Sequence, residues 1–273
     1  MRRILKVLVL VALFTTYGFS VKTYGFSTSY AKVKEILELS GLNKQIANLP
    51  AMVEAGARQS RAKKPNKISD KEFNEVLIVM KKAFDPNVLL SAISKSVQKD
   101  ISTKDANNLI SWFKSKLGKK IVQEEIKASS PKSTQEMLQN AKQLLSDKSR
   151  VLLAFELDEL THSSQMQADL LLNMNLAMIE AFANPTNKES LKRQAMHQIG
   201  RIKTYTKQLA IVYFVYTYKN LSIADIKKYI NFLKTPSAQK FNDSLIKSYR
   251  NEIDIAINNM ARDLAKVKAK YKK

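Results

Sequence analysis

The sequence predicts an all-α protein, and three observations support this. The 273 residues include only six glycines and six prolines, whereas residues that favour helices, such as Ala, Leu, Lys and Gln, are plentiful. Apolar residues recur at helical spacing along much of the chain. One sequence pattern also occurs twice, starting at Ser102 and again at Ser222. We therefore expect a tandem duplicated helical bundle of about ten or eleven helices behind an N-terminal signal peptide.

The repeated pattern is a helical hairpin whose two copies align at a constant offset of 120 residues, 222 minus 102. Each copy opens with a serine followed three residues later by an aspartate, which is a variant of the capping box at the start of a helix. An aromatic residue then anchors the buried face, and a short break leads to a second helix. The motif residues are Ser102, Asp105, Trp112 and Gly118 in the first copy, and Ser222, Asp225, Phe232 and Pro236 in the second. We expect the two aromatic residues to be equivalent core anchors, each on the inner face of its own hairpin.

The similarity extends beyond the hairpins. Capping boxes at Ser69 and Thr186 open a helix that precedes each hairpin, and the Lys120 position corresponds to Lys240. A first helical repeat is expected over residues 30–145 and a second over residues 146–273. The predicted helices lie near residues 30–40, 44–63, 70–84, 86–99, 103–114, 118–129, 134–160, 164–183, 187–218, 223–234 and 237–270.

Two apolar segments of the second repeat are interpreted as core. Residues 209–216 have a strand-like composition, but their position between capped helical segments favours a fully buried helix. Met166, Met174 and Met178 lie near one helical stripe among leucines, which favours core packing over capture of a soft metal.

The N-terminus has the layout of a secretory signal peptide. Three basic residues precede a short apolar run and a more polar segment with small residues, and residues 1–20 end at Ser20. Cleavage after Ser27 or Ala31 is an alternative. The apolar run is shorter than the roughly 20 residues that cross a bilayer, so an uncleaved anchor is the weaker interpretation. We expect export, a periplasmic location and no transmembrane span in the mature chain.

The chain is strongly basic and has no cysteine. Its net charge is +22, and removal of residues 1–20 takes away three positive charges, which leaves +19. The absence of cysteine excludes disulfides, thiol catalysis and cysteine-ligated zinc. Export would separate the protein from cellular nucleic acid, so an anionic envelope component fits better as a partner. The strongest basic stretches are residues 58–67 and 266–273, and the candidate contact with an anionic surface consists of Arg58, Arg61, Lys63 and Lys64.

The hairpin resembles an exported bacterial family called domain of unknown function twenty fifty-nine. The first copy keeps Trp112, Ser115 and Gly118 of the family pattern but has Lys116 where the family has proline. The resemblance implies export and a helical fold, and it implies no activity. In the second copy the residues that carry it are Ser222, Asp225, Phe232, Thr235, Pro236, Ala238 and Lys240, with Thr235 replacing a serine and Ala238 a glycine.

No catalytic or metal-binding set is visible in the sequence. His162 and His197 each lack a second ligand at the three- or four-residue spacing of a helical metal site. The acid pairs Glu124–Glu125 and Asp158–Glu159 are interpreted as a solvated face, because adjacent helical residues point in different directions. The sequence also has no glycine-rich phosphate loop and no nucleophile elbow.

The favoured function is a non-enzymatic interaction module of the cell envelope with a basic surface, without a cofactor. Its partner would be a lipid headgroup, lipopolysaccharide, a glycan or another envelope protein. One alternative is a carrier of an apolar ligand that uses the aromatic and methionine-rich segment 166–218. A second alternative is an unfamiliar hydrolase that gathers acids distant in sequence, with His162 or His197.

Overall fold

The computed structural model describes residues 28–62 and 68–271, and these form helices and connecting turns with no strand among them. The all-α class is confirmed. The predicted signal peptide over residues 1–20 lies outside the described residues. The helices are α1 (Tyr30–Leu39), α2 (Leu42–Ala47), α3 (Leu49–Ala62), α4 (Asp70–Ala83), α5 (Pro86–Asp100), α6 (Thr103–Lys114), α7 (Lys116–Ala128), α8 (Pro131–Gln139), α9 (Ala141–Leu144), α10 (Lys148–Thr161), α11 (Ser163–Phe182), α12 (Pro185–His197), α13 (Ile199–Thr217), α14 (Ile223–Leu233) and α15 (Pro236–Tyr271).

Several predicted helices are divided in the structure. The segment predicted over 134–160 becomes α8, α9 and α10, because Asp147 caps a new helix by accepting a hydrogen bond from the Arg150 N–H. Thr186 does not cap α12, since Pro185 occupies the first helical position and places the cap at Asn184. No helix in the described ranges is long and apolar enough to span a membrane.

The caps of the two hairpins have matching geometry. The Ser102 side chain accepts from the Asp105 N–H at 3.2 Å, and Ser222 accepts from the Asp225 N–H at 3.0 Å. The break in the first hairpin demands a glycine, because a Cβ at Gly118 would lie 2.1 Å from a backbone carbonyl oxygen. In the second hairpin Pro236 is the first residue of α15.

The buried residues form two hydrophobic clusters, here called the first core and the second core. The first core joins α1–α6 to side chains of α11 and α15, including Met174, Phe241 and Ile257. The second core joins α10, α13 and α14 to Ile121 of α7 and Met137 of α8. Both cores therefore draw residues from both sides of the boundary predicted at 145/146.

Trp112 and Phe232 lie where the two cores meet. Their rings stack with centroids 4.2 Å apart and planes 5° from parallel, and both residues are half-buried against both cores. The prediction that each ring fills the inner face of its own hairpin is therefore wrong, because the two rings pack on each other. The segment 209–216 is a buried part of α13, as the sequence predicts.

The longest helix, α15, has 36 residues and crosses from α14 to α4 and α5. The corresponding segment after the first hairpin is interrupted. There, Ser130 caps α8 and Pro131 occupies its first position, so α7, α8 and α9 change direction and pack on α13. As a result, α15 packs on α4 and α5, whereas α7, α8 and α9 pack on α13.

Candidate functional site

The α12 helix is the least covered long helix of the predicted second repeat. Ala195 is its one buried residue, and its main neighbours are α11 and the start of α13. By contrast, α4 holds the same place before the first hairpin and buries Phe73, Leu77 and Met80 against α3 and α15. Most of the α12 surface is therefore exposed.

Four side chains follow one another along the open side of α12 and α13. Arg193, His197, Arg201 and Tyr205 are spaced four residues apart, and all four are exposed. Residues four apart lie on the same side of a helix, about 6 Å from one another along its axis. The two helices run nearly continuously, because the linking residue Gln198 keeps a right-handed helical backbone.

Two further exposed side chains widen this surface. Met196 is 50% exposed, and Lys203 is exposed two residues after Arg201, about 160° round α13 from that arginine. Tyr205 is 42% exposed. The basic face is defined here as Arg193, Met196, His197, Arg201, Lys203 and Tyr205.

The cations beside the basic face are neutralised by nearby acids. Lys188 and Lys192 bind Glu180 at 2.8 Å and 2.7 Å, and these hydrogen bonds lower the pKa of Glu180 to about 2. Lys207 binds Asp158 at 2.8 Å. These charges are therefore largely compensated within the protein.

Three cations on the basic face have no such compensation. Arg193, Arg201 and Lys203 form no ion pair with any acid in the ranges 28–62 and 68–271. Their charge faces solvent beside an apolar and an aromatic side chain. The basic face can therefore attract an anion and also contact an apolar surface.

The cluster predicted from the sequence is placed differently. Arg58 binds Glu54 at 2.8 Å, and Glu54 also accepts from Lys81 at 2.9 Å. Arg61 forms an ion pair with Asp70. Both arginines thus have acids of their own chain as partners, which weakens their attraction for an external anion. The other two residues of that cluster lie outside the described residues: Lys63 and Lys64.

A buried carboxyl lies inside the second core. Glu125 is 4% exposed, so its interpretation as part of a solvated face is wrong. Tyr218 and Tyr229 donate hydrogen bonds to its Oε1 at 2.7 Å and 3.0 Å. Burial disfavours the charged form and raises the pKa of Glu125 to about 7.

A small cavity reaches Tyr218 but is not lined by Glu125. The cavity that reaches Tyr218 is also lined by Arg150 and has a volume of about 10 Å³, which is the size of one water molecule. The Arg150 side chain donates to the carbonyl oxygens of Tyr218 and Leu221, both at 2.8 Å. The arrangement suits a structural carboxyl held between helices.

The second acid pair also departs from the solvated interpretation. Asp158 is 2% exposed and accepts hydrogen bonds from the Ser164 N–H at 2.8 Å and the Ser164 hydroxyl at 2.7 Å. It therefore stabilises the first turn of α11. Its neighbour His162 adopts a left-handed backbone with φ 45°, and burial lowers its pKa.

The open grooves have mixed linings. One of about 450 Å³ lies between α11, α12 and α15 and is lined by residues such as Asn173, Leu176, Glu180 and Asp254. Neither a methionine nor an aromatic residue of segment 166–218 lines it, whereas Met174 is buried in the first core. Within the described ranges, no group of three or more His, Asp or Glu side chains could hold a metal ion.

Comparison with known proteins gave no match: no family model, curated protein or solved structure matches this chain.

Proposed function

We propose that the protein is a non-enzymatic interaction module of the bacterial cell envelope, and that its basic face binds a phosphate-bearing envelope component. The observation that carries this proposal is the set of three uncompensated cations along α12 and the start of α13, at positions that the described residues leave exposed. Location in the envelope rests on the predicted signal peptide and on the resemblance to an exported family, both of which stay predictions.

Phosphate is the anion that best fits the basic face. Arginine presents a planar fork of donors that matches phosphate oxygens in pairs. Arg193 and Arg201 are eight residues apart, about 12 Å along the helix, so each can hold a separate phosphate group. Arg193 and Lys203 are ten residues, about 15 Å, apart along the axis, which exceeds one Debye length of about 8 Å, so the three charges act as separate points of attraction for an extended anionic surface.

The apolar members of the basic face favour a lipid-linked phosphate over a soluble polyanion. Met196 and Tyr205 expose apolar surface beside the cations, and such side chains are stabilised at the boundary between headgroups and acyl chains. The predicted cluster at Arg58 and Arg61 serves as a second, weaker contact in this proposal, because each of its described arginines already has an acidic partner.

Cosedimentation tests this proposal. Three proteins are mixed with phosphatidylglycerol vesicles at several salt concentrations. They are the wild type, a basic-face variant with Arg193, Arg201 and Lys203 changed to Gln, and a control variant with Lys95, Lys99 and Lys104 changed to Gln. The control removes three exposed charges from α5 and α6, so both variants have the same net charge.

We expect the basic-face variant to lose about 1 kcal/mol of binding free energy per charge, or on the order of a hundredfold in affinity. The control should bind like the wild type. Equal binding by all three proteins would refute the site, and no binding at low salt would refute the function. Parallel arms with lipopolysaccharide and with a phosphate-free acidic glycan separate the sources of the anion.

A further inference from the structure

We propose that the two repeats are related by an internal two-fold axis and exchange their last helices, so that each repeat completes the core of the other. In a two-fold interface, position i of the first copy contacts position j of the second. Position j of the first copy then also contacts position i of the second. The contacts around the hairpins meet this condition.

The first line of support is a reciprocal pair of salt bridges. Asp105 of the first repeat binds Lys240 of the second at 2.9 Å, and Asp225 of the second binds Lys120 of the first at 3.7 Å. With the offset of 120 residues, Asp105 corresponds to Asp225 and Lys120 to Lys240. Each aspartate thus pairs with the equivalent lysine of the other repeat and not with the lysine of its own hairpin.

The second line of support is the stack of Trp112 on Phe232. These two positions correspond to each other, and equivalent residues of two copies meet face to face where a two-fold axis passes between them. The axis therefore runs between the two rings, which lie at the junction of the two cores.

The third line of support is the membership of the cores. Ile121 of the first repeat is buried in the second core, and its equivalent Phe241 of the second repeat is buried in the first core. The α7 and α8 helices thus complete the core around α13, while α15 completes the core around α5. The partner that each repeat fits is a second copy of the repeat.

The symmetry is incomplete, and one departure from it accompanies the exposure of the basic face. The α15 helix is continuous and covers α4, whereas the equivalent path in the first repeat is broken before Pro131 and does not reach α12. Glu125 shows the same divergence inside the interface, because its equivalent in the first core is Leu245. The two repeats thus keep equivalent contacts at the axis and differ farther from it.

Cross-linking in the full-length chain tests the exchange. The chain has no cysteine, so a double variant contains two thiols alone. Lys120→Cys with Asp225→Cys joins positions that the structure pairs between repeats, and Asp225→Cys with Lys240→Cys joins the corresponding positions within one hairpin. A protease site inserted after Leu145 allows the repeats to be separated once a short bismaleimide has reacted.

After cleavage and denaturation, the Lys120→Cys/Asp225→Cys protein should run at about the full 31.0 kDa, whereas the Asp225→Cys/Lys240→Cys protein should separate into two fragments and show no cross-linked mass for the second fragment in mass spectrometry. Efficient linkage within the hairpin, equal linkage of both pairs, or no linkage of either pair in folded protein would overturn the proposal. Circular dichroism verifies folding, and the reciprocal pair Asp105→Cys/Lys240→Cys provides an independent second variant for the same comparison.

Discussion

Glu125 makes the stability of the protein depend on pH in a direction that can be tested. Its folded pKa is raised from 4.5 to about 7, because burial in the second core penalises the charged form. The folded state therefore binds the proton more tightly than the unfolded state does. The stability that this proton contributes is fully present below pH 4.5 and is lost as the pH rises through 7.

The size of the effect follows from the shift. One pKa unit corresponds to 1.36 kcal/mol, so a rise of about 2.5 units, 7 minus 4.5, amounts to about 3 kcal/mol. The neighbouring titratable groups are Tyr218, Tyr229 and Tyr213, whose pKa values are all raised by burial. These phenols stay neutral through the window, so Glu125 alone carries the change within its cluster.

Glu125→Gln removes the titration and keeps an oxygen that can accept from the tyrosines. Urea unfolding of both proteins at a series of pH values from 4 to 9 gives the free energy of unfolding of each. The wild type should lose about 3 kcal/mol relative to the variant as the pH rises through this window. Other groups, including His162, titrate in both proteins and cancel in the difference. Parallel curves would refute the burial argument.

Three further predictions address the axis, the hairpin break and the N-terminus. Trp112→Ala should reduce the free energy of unfolding by about 2 to 3 kcal/mol in urea melts, which is less than the loss for a fully buried ring, and Phe232→Ala should have a similar effect. A loss below about 1 kcal/mol would mean that the stacked rings contribute little to stability. Gly118→Ala should cost about 1 to 3 kcal/mol because the new methyl group meets backbone, whereas an unchanged melting curve would contradict that contact. Mass spectrometry of protein isolated from cells should give a mass lacking residues 1–20, and an intact Met1 would contradict export with cleavage.

The helix caps and one buried helix could be predicted from the sequence. The caps at Ser102, Ser222 and Asp85 depend on side chains within three residues of the backbone groups that they bind, so sequence spacing alone indicates them. The buried helix over 209–216 was likewise predicted from its apolar run and its flanking signals. These features need no knowledge of the tertiary fold.

Long-range features were not readable in the same way. The partners of Glu125 lie 93 and 104 residues away, so nothing near it signals burial. The hairpin sequence permits Asp105 to pair with Lys120 or with Lys240, and only the packing of α15 selects the second. The sequence pattern therefore does not decide whether each hairpin pairs within its own repeat or with the other repeat.

The basic face was only half visible in the sequence. The four-residue spacing from Arg193 to Tyr205 could have been noticed, and it is the signal that the sequence analysis missed. Its exposure could not have been predicted, because that depends on which helices pack against α12 and α13 in the folded chain. The cluster at Arg58 is denser in the sequence, although its described arginines are paired with acids.

The central claim is that the basic face itself contacts the anionic partner, and a fluorescent label on that face tests this most directly. Because the chain has no cysteine, Met196→Cys can carry a single environment-sensitive dye, and Lys95→Cys provides the same label on the exposed side of α5. With phosphatidylglycerol vesicles at low salt, the Met196→Cys label should shift to the blue and the Lys95→Cys label should not, and the shift should disappear with neutral vesicles or at high salt. Binding of the protein to the vesicles with an unchanged Met196→Cys spectrum would contradict the account.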